Sequence, residues 1–371
     1  MKPRVKYHEP GFLPLDGLKL DANIFASEKS EAEYSLGQLQ GSGGDGLGKR
    51  FFNARLLVSP LTTKEAVMSS KIEGTISTIS DVYKFEAGQT PRFSGTAEVA
   101  NYRKAISQAM FLVQSGRKMN KTYIKAIHRT LLSGVRHKGN LGDFRKCDVW
   151  IGEKQTDPIE KAIYVPPIYV AVESYVDNLL IYIERGVEDP LTRAALAHYQ
   201  FEAIHPFEDG NGRVGRLLIP LILFENGRIS LPILYMSGYF DAHRDEYREA
   251  LHEADTSLKY EKWLKFFFNS VSAQAKETLA LIAKINALYE KLEAQVEGSR
   301  SPFLLPFLGY MFEHPIFYPS GVMESLGATY PPIGTLIKLF EEKKIIKPSL
   351  GADRRMKVYS FEPLINLLNS A

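Results

Sequence analysis

Residues 205–216 read His-Pro-Phe-Glu-Asp-Gly-Asn-Gly-Arg-Val-Gly-Arg, and this stretch decides how the rest of the chain is read. Just before it, Ala194, Ala197, Phe201 and Ile204 recur at helical spacing, so a packed helix leads in. Pro206 disfavours helical geometry at His205, so that helix ends with an imidazole facing a loop. Gly210-Asn211-Gly212 then allows positive φ and close backbone approach, and a new helix opens near Gly212. A helix start carries unpaired amides and the positive end of the dipole. A glycine loop opening a helix is therefore an anion cradle suited to phosphates. Arg213 and Arg216, three apart, share one face beside it, and Arg grips phosphate in a bidentate way. Asp209 puts one carboxylate at the mouth, where it can hold Mg²⁺ bridging phosphates. A base, a metal carboxylate, an anion nest and two guanidiniums within twelve residues describe phosphoryl or nucleotidyl transfer from a nucleotide. His205 is then the group that takes a proton from an attacking hydroxyl.

Each feature alone has a bland reading: a His before Pro is usually structural, Gly-Asn-Gly usually a turn, and a two-Arg face usually solvated. Their conjunction at fixed spacing favours the chemical one. A metal-hydrolase reading of His198, His205 and Asp209 fails because Pro206 breaks the helix between them, which leaves His198 as a packed or hydrogen-bonded helix residue.

Working outward, helical patterns cover roughly 98–115, 119–134, 170–185, 190–204, 212–226 and 242–270. Pro220 lies inside the helix after the motif, where it removes a backbone bond and should kink it. Residues 148–152 and 162–165, rich in Val, Ile, Trp and Tyr around a polar turn, read as a β-hairpin inside this helical region. Residues 1–30 look extended. Residues 31–48 begin helix-like and run into a Gly-rich loop. A helix is predicted from about Thr62, with Thr62 and Glu65 at capping-box spacing and Gly74 as its C-terminal stop. Residues 272–298 form an amphipathic connecting helix ending at Gly298-Ser299. Beyond it come two helical patterns, a turn at Tyr330-Pro331-Pro332, a helix over 334–343, and a hairpin of 345–347 with 357–361 around Gly351. That order fits a winged helix-turn-helix.

The motif matches the signature of the Fic family, His-Pro-Phe-x-acid-Gly-Asn-Gly-Arg-x-x-Arg, at every specified position. Ile127-His128-Arg129-Thr130-Leu131-Leu132, Gly142-Asp143-Phe144-Arg145 and Phe240-Asp241-Ala242-His243-Arg244-Asp245-Glu246-Tyr247 also resemble family segments, so the resemblance spans roughly 20–270. It implies a mostly α fold: a helical core with a β-hairpin flap, here followed by a small C-terminal winged helix-turn-helix domain. It implies transfer of AMP from Mg-ATP to a Tyr, Thr or Ser hydroxyl of a target protein. By the same resemblance His205 is the general base and Asp209 the metal ligand. Gly210, Asn211 and Gly212 form the α-phosphate anion hole. Arg213 and Arg216 hold the β- and γ-phosphates, Gly215 belongs to the same ATP-binding run, and Tyr247 lies near the adenine. Phe207 is a core anchor. The 148–165 flap docks the target backbone by strand pairing. Family members that phosphorylate depart from the motif around its first Arg; Arg213 is kept here, which favours AMP transfer.

Ser69-Ser70-Lys71-Ile72-Glu73-Gly74 fits the family's inhibitory pattern, Ser/Thr-x-x-x-Glu-Gly/Asn, in the subclass with an N-terminal inhibitory helix. Glu73 falls in the last turn of its predicted helix, where an anion opposes the dipole. The expectation is that Glu73 pairs with Arg216 and diverts it from the γ-phosphate, while Ser69 fixes the helix by a hydrogen bond. The bland reading is a surface Glu before a C-terminal Gly.

The domain reading is 1–97 as an N-terminal region with the inhibitory helix near 62–74, 98–271 as the catalytic core, 272–300 as the connecting helix and 301–371 as the winged-helix unit. Between Lys343 and Lys357 six basic residues face one acid, Asp353, a wing suited to nucleic-acid phosphates, so DNA through 330–361 is the less favoured partner; the recognition helix offers only Lys338, which favours protein docking. Two rivals to AMP transfer remain: the same fold with another nucleotide, AMP removal or phosphocholine transfer, and a DNA-binding regulator with an inactive core. The complete set of His205, Asp209, Asn211, Arg213 and Arg216 argues against the latter.

Bulk properties agree. The 371 residues carry a net charge of +3, which argues against a wholesale nucleic-acid coat, and 44% hydrophobic residues, enough for a sizeable core. The single Cys147 excludes an intramolecular disulfide. The N-terminal stretch lacks a signal-peptide core, and the most apolar run, 217–224, is about half the length of a membrane span, so the chain is expected to be cytoplasmic. A homodimer is common among the proteins it resembles.

Overall fold

The computed structural model describes residues 6–14, 20–43, 55–152, 157–231, 233–257, 259–350 and 357–370. In chain order the elements are α1 (Ala26–Gly43), α2 (Arg55–Ile72), α3 (Ile79–Glu86), α4 (Thr96–Gln114), α5 (Lys121–Leu132), α6 (Val172–Arg185), α7 (Pro190–Ile204), α8 (Asn211–Glu225), α9 (Ser237–Ala242), α10 (Arg244–Ser257) and α11 (Glu261–Val296). There follow α12 (Leu304–Glu313), β1 (Ile316–Phe317), α13 (Pro319–Leu326), α14 (Tyr330–Glu342), β2 (Lys347–Leu350), β3 (Lys357–Ser360) and α15 (Glu362–Asn369). Two compact units emerge, neither contiguous in sequence: one of residues 1–40 and 101–274, the other of 41–100 and 275–371.

The first unit is built around α7 and α8, which pack on each other and on α6 and α5. Twelve of the fifteen residues of α7 are buried, so it is a central helix covered on all sides rather than an amphipathic surface one. Its start is set by Asp189, whose carboxylate accepts from the backbone N–H of Leu191 and Thr192 at 3.1 Å each, with Pro190 at the first helical position. Gly215 on α8 lies against Phe201 and Glu202 of α7, so a side chain there would displace the Glu202 carboxylate and crowd the Phe201 ring. α8 runs through Pro220 without ending. Trp263 of α11 is fully buried and donates its indole N–H to Ala195 O of α7 at 2.9 Å.

In the second unit α2 packs on α12 and α3, and Ser59 of α2 donates to Glu313 O at 2.9 Å. α2 starts at Arg55, not Thr62: the Thr62 hydroxyl turns back to Val58 O at 2.5 Å inside the helix, so the predicted capping box is not a cap. The predicted stop holds. Gly74 has φ +85°, with Gly74 N–H to Lys71 O at 2.9 Å and Thr75 N–H to Ser70 O at 3.0 Å, the two bonds of a Schellman ending. At the C-terminal end β1, β3 and β2 form an antiparallel sheet in that order, with Ile316 opposite Ser360 and Lys347 also opposite Ser360. Pro331 and Pro332 sit in the first turn of α14 rather than in a separate turn, where a missing N–H leaves no bond unmade. The basic Arg354 and Arg355 and the acid Asp353 lie outside the described residues, as does most of the Gly-rich loop after α1.

One other expectation changes. The single helix expected over 242–270 is broken: Ala242 ends α9, α10 and the start of α11 follow as separate helices, and α11 continues unbroken to Val296 through the predicted connector. The hairpin of 148–165 shows, among the described residues, the antiparallel bridge Ile151 with Tyr164, closed by Ile151 N–H to Tyr164 O and Ile163 N–H to Ile151 O, both 2.8 Å. A short 3-10 turn (Ile159–Lys161) takes up part of its tip. Among the described residues no helix is long and apolar enough to cross a membrane.

Candidate active site

α7 stops at Ile204, and His205 takes up a left-handed conformation, φ 48° and ψ 61°. A non-glycine residue there costs about 1–2 kcal/mol, so its surroundings must hold it. They do. The His205 N–H bonds to Phe201 O at 3.0 Å, and Arg145 Nε donates to His205 O at 2.9 Å.

The loop that follows is locked from inside. Asn211 is 2% exposed, and its side chain closes on one residue in both directions: Phe207 N–H to Asn211 Oδ1 and Asn211 Nδ2 to Phe207 O, both 2.8 Å. Phe207 is fully buried and stacks on His128 of α5 with ring centres 3.8 Å apart and 3° between planes. The anchoring role read for Phe207 is what its burial supports.

His128 ties this core to the site. Gly142 N–H donates to its Nδ1 at 3.0 Å, so Nδ1 is the lone-pair nitrogen. The proton therefore sits on Nε2, which lies 3.1 Å from Asp209 O and donates to it. Burial pushes the imidazole down to about 4, so it stays neutral at physiological pH.

Gly210, φ +78°, is the N-cap of α8 and brings no capping side chain. Val214 N–H bonds to Gly210 O at 3.1 Å, so Asn211 and Gly212 lie in the opening turn of the helix, at the positive end of its dipole. Arg213 and Arg216 are 4% and 3% exposed on the same stretch. Arg213 Nη2 reaches Asp209 Oδ1 only at 3.5 Å, and Asp209 keeps a third of its side chain exposed. The carboxylate therefore retains oxygens for a cation. Among the described residues no group of three or more His, Cys, Asp or Glu could hold a metal. A cation at Asp209 would thus take its other ligands from phosphates and water, the way Mg²⁺ is usually held.

A cavity of about 280 Å³ adjoins the end of α7. Ile151, Ile163 and Tyr164 of the bridge region, Tyr199 and Glu202 of α7, and Leu251, His252 and Asp255 of α10 line it. Tyr164 is fastened to α7 by its hydroxyl, which donates to Ala203 O at 2.7 Å. Burial pushes the Asp255 carboxyl up to about 7, although Tyr199 donates to it at 2.8 Å.

Tyr247 lies in an aromatic cluster with Phe240, Trp263 and Phe266. It stacks on Phe240 at 4.5 Å, its hydroxyl meets His198 Nε2 at 2.9 Å, and it is 7% exposed. His198 is fully buried and pushed down to about 3 by desolvation, so it is a neutral hydrogen-bonding residue of the core. Ser69 and Glu73 belong to the other unit: Ser69 is buried within α2, and Glu73 is the exposed residue just before Gly74. Sequence reasoning brought together His205, Asp209–Arg213 and Arg216. It gave no part in the site to Arg145, whose bonds are to backbone carbonyls and leave no periodic trace, or to His128; the only signal for either was a local resemblance.

Residues 118–223 match the model of the Fic/DOC family, and residues 26–110 that of the Fic/DOC family N-terminal region. A protein of Aquifex aeolicus named a probable protein adenylyltransferase is 26% identical over 251 residues, 64% of this chain and 69% of that protein. A protein adenylyltransferase of Caenorhabditis elegans is 32% identical over 134 residues, 36% of this chain but only 23% of that protein. The crystal structure of a Fic family protein from Desulfovibrio desulfuricans aligns over 93% of this chain and 97% of its own, with a TM-score of 0.60 at 20% identity, which shows the shared fold.

Proposed function

This chain carries a Fic domain preceded by the family's N-terminal region, and from that premise we propose that it is a protein adenylyltransferase, moving AMP from ATP to a Ser, Thr or Tyr hydroxyl of a target protein. One observation carries the reading: a left-handed His205 and a left-handed Gly210 bracket a locked loop that opens directly into the amides and guanidiniums of α8. The names of the relatives supply the donor and the transferred group.

In the proposed reaction the target hydroxyl oxygen bonds to the α-phosphorus of ATP as the bond to the β-phosphate oxygen breaks. The hydroxyl proton passes to the His205 imidazole, and pyrophosphate leaves. Gly210, Asn211 and Gly212 form the anion hole for the α-phosphate oxygens, where charge builds. Arg213 and Arg216 hold the outer phosphates. Mg²⁺, when bound at Asp209, neutralises phosphate charge. The cavity beside α7 has apolar walls for a base and polar groups at Asp255, His252 and Tyr199 to orient it. The exposed Trp150, Ile151 and Ile163 of the bridge region are the proposed docking edge for the target segment.

Regulation by Glu73 is part of the proposal. Glu73 sits at the C-terminal end of α2, where a carboxylate opposes the helix dipole, and its proposed partner is the Arg216 guanidinium. The order helix, strand, two helices, hairpin at residues 304–360 supports a winged-helix module; the one exposed base on α14, Lys338, favours a protein partner or a second copy of the chain over DNA.

The test is α-labelled ATP with wild type, Glu73→Gly, and Glu73→Gly combined with His205→Ala. Label on protein should rise in the first variant and vanish in the second. Retention of γ-label alone would replace AMP transfer by phosphorylation. Equal labelling with and without Glu73 would remove the brake.

A further inference from the structure

Arg145 is a heavily used side chain near the site. Its side chain has no exposed surface. Nε donates to His205 O at 2.9 Å, Nη1 to Cys147 O at 3.2 Å, and Nη2 to Pro167 O at 2.5 Å and to Ile204 O at 3.4 Å. Its own N–H donates to Pro206 O at 2.9 Å. The nearest carboxylate oxygen, on Asp148, is 4.0 Å away, so four carbonyl dipoles hold a buried charge whose burial pushes the guanidinium's pKa down.

The four acceptors fall in two sets. Ile204 and His205 close α7, where carbonyls lack intrahelical partners and a cation is favoured. Cys147 and Pro167 are the two stems of the 147–167 excursion, which carries the Ile151–Tyr164 bridge and one wall of the cavity. The planar fork of Arg can bond both sets at once; a lysine ammonium on a flexible stem cannot hold the same four directions. Tyr164 adds a parallel tie from the excursion to Ala203 O.

We propose that Arg145 is a positioning residue that makes the excursion and the His205 loop one rigid body. It fixes the left-handed carbonyl of His205, and with it the direction of the imidazole. His205 is then aimed only while the excursion is seated. The catalytic part of this proposal rests on the reading of His205 as the base; the mechanical part does not.

The experiment uses the full chain and two readouts. The first is amide hydrogen exchange in wild type under mild denaturant. Amides of 147–152, 157–166 and 205–209 should share one opening free energy, distinct from that of α11. Opening of the excursion at lower denaturant than the loop would overturn the proposal without any variant. The second compares Arg145→Lys with wild type. Exchange should quicken in both segments and not across the whole unit. AMP-transfer kcat should fall about 10- to 100-fold while the KM for ATP stays within about 2-fold, and the pH–rate profile should shift, because the environment of the His205 ring changes. Loss of folded fraction alone would also lower kcat at constant KM, but it would quicken exchange across the whole unit and leave the pH–rate profile in place; that result would refute positioning. If wild type transfers no label from any nucleotide, the functional reading fails, and the exchange patterns still decide whether Arg145 joins the two segments.

Discussion

His128 lends itself to a quantitative test, because its protonation is linked to folding. In the unfolded chain its imidazole titrates near 6.5; in the folded protein burial pushes it down to about 4. The folded state therefore binds fewer protons than the unfolded state between those values. The stabilisation is complete above about pH 6.5 and is lost as pH falls toward 4. Between pH 7.5 and 5.0 the linkage amounts to about 2 kcal/mol. Protonation would also place a hydrogen on Nδ1, against the Gly142 N–H that donates there at 3.0 Å. His128→Gln keeps one acceptor and one donor but cannot titrate. It should lose about 1–3 kcal/mol at pH 7.5 through the lost stack on Phe207 and imperfect packing. Its stability should then fall about 2 kcal/mol less than wild type on going to pH 5.0. His198 and Asp255 titrate in both proteins and cancel in the comparison. The assay is urea unfolding followed by Trp fluorescence in a Trp150→Phe background, leaving Trp263, fully buried in the same unit as His128, as the reporter. A difference under about 0.5 kcal/mol would mean that His128 protonates freely in the folded state. The tautomer argument, and the anchoring of Asp209 built on it, would then fall.

Asn211→Ala should lower stability by about 2–5 kcal/mol, because the buried N–H and C=O of Phe207 both lose their partner, and thermal or urea unfolding reads it directly. A loss below about 1 kcal/mol would show that water or a rearranged loop replaces both bonds. Asp255→Asn should act with the opposite pH sign to His128. The folded carboxyl is raised to about 7 from an unfolded value near 3.8, so its contribution is fully present below that lower value and is lost as pH rises through about 7. The variant should therefore gain on wild type between pH 5 and pH 8 in unfolding measurements, and an unchanged difference would place Asp255 in contact with water.

The twelve residues 205–216 were legible because each rule they invoke is local. Pro206 ends a helix at the residue before it, glycines at 210 and 212 free the backbone to open the next, and arginines three apart share a face. Gly74 closed α2 for the same kind of reason. The start of α2 was misread because Thr62 and Glu65 have the spacing of a cap, yet burial of residues on either side carries the helix seven residues further back. The hairpin was legible as strand-forming residues on either side of a polar turn, but the Arg145 guanidinium that bonds its two stems at Cys147 O and Pro167 O was not, because those acceptors are backbone atoms.

By itself, then, the sequence determined the chemistry on offer: a histidine at a helix end, an anion cradle and two guanidiniums within one continuous segment. Only the tertiary structure decided what holds them in place. Arg145 reaches the His205 carbonyl across 60 residues and His128 reaches Asp209 across 81, and these are side-chain bonds to backbone atoms. A backbone carbonyl is the same in every residue, so its partner leaves no mark on the residue that carries it, and such contacts exist only once the chain has brought the two segments together.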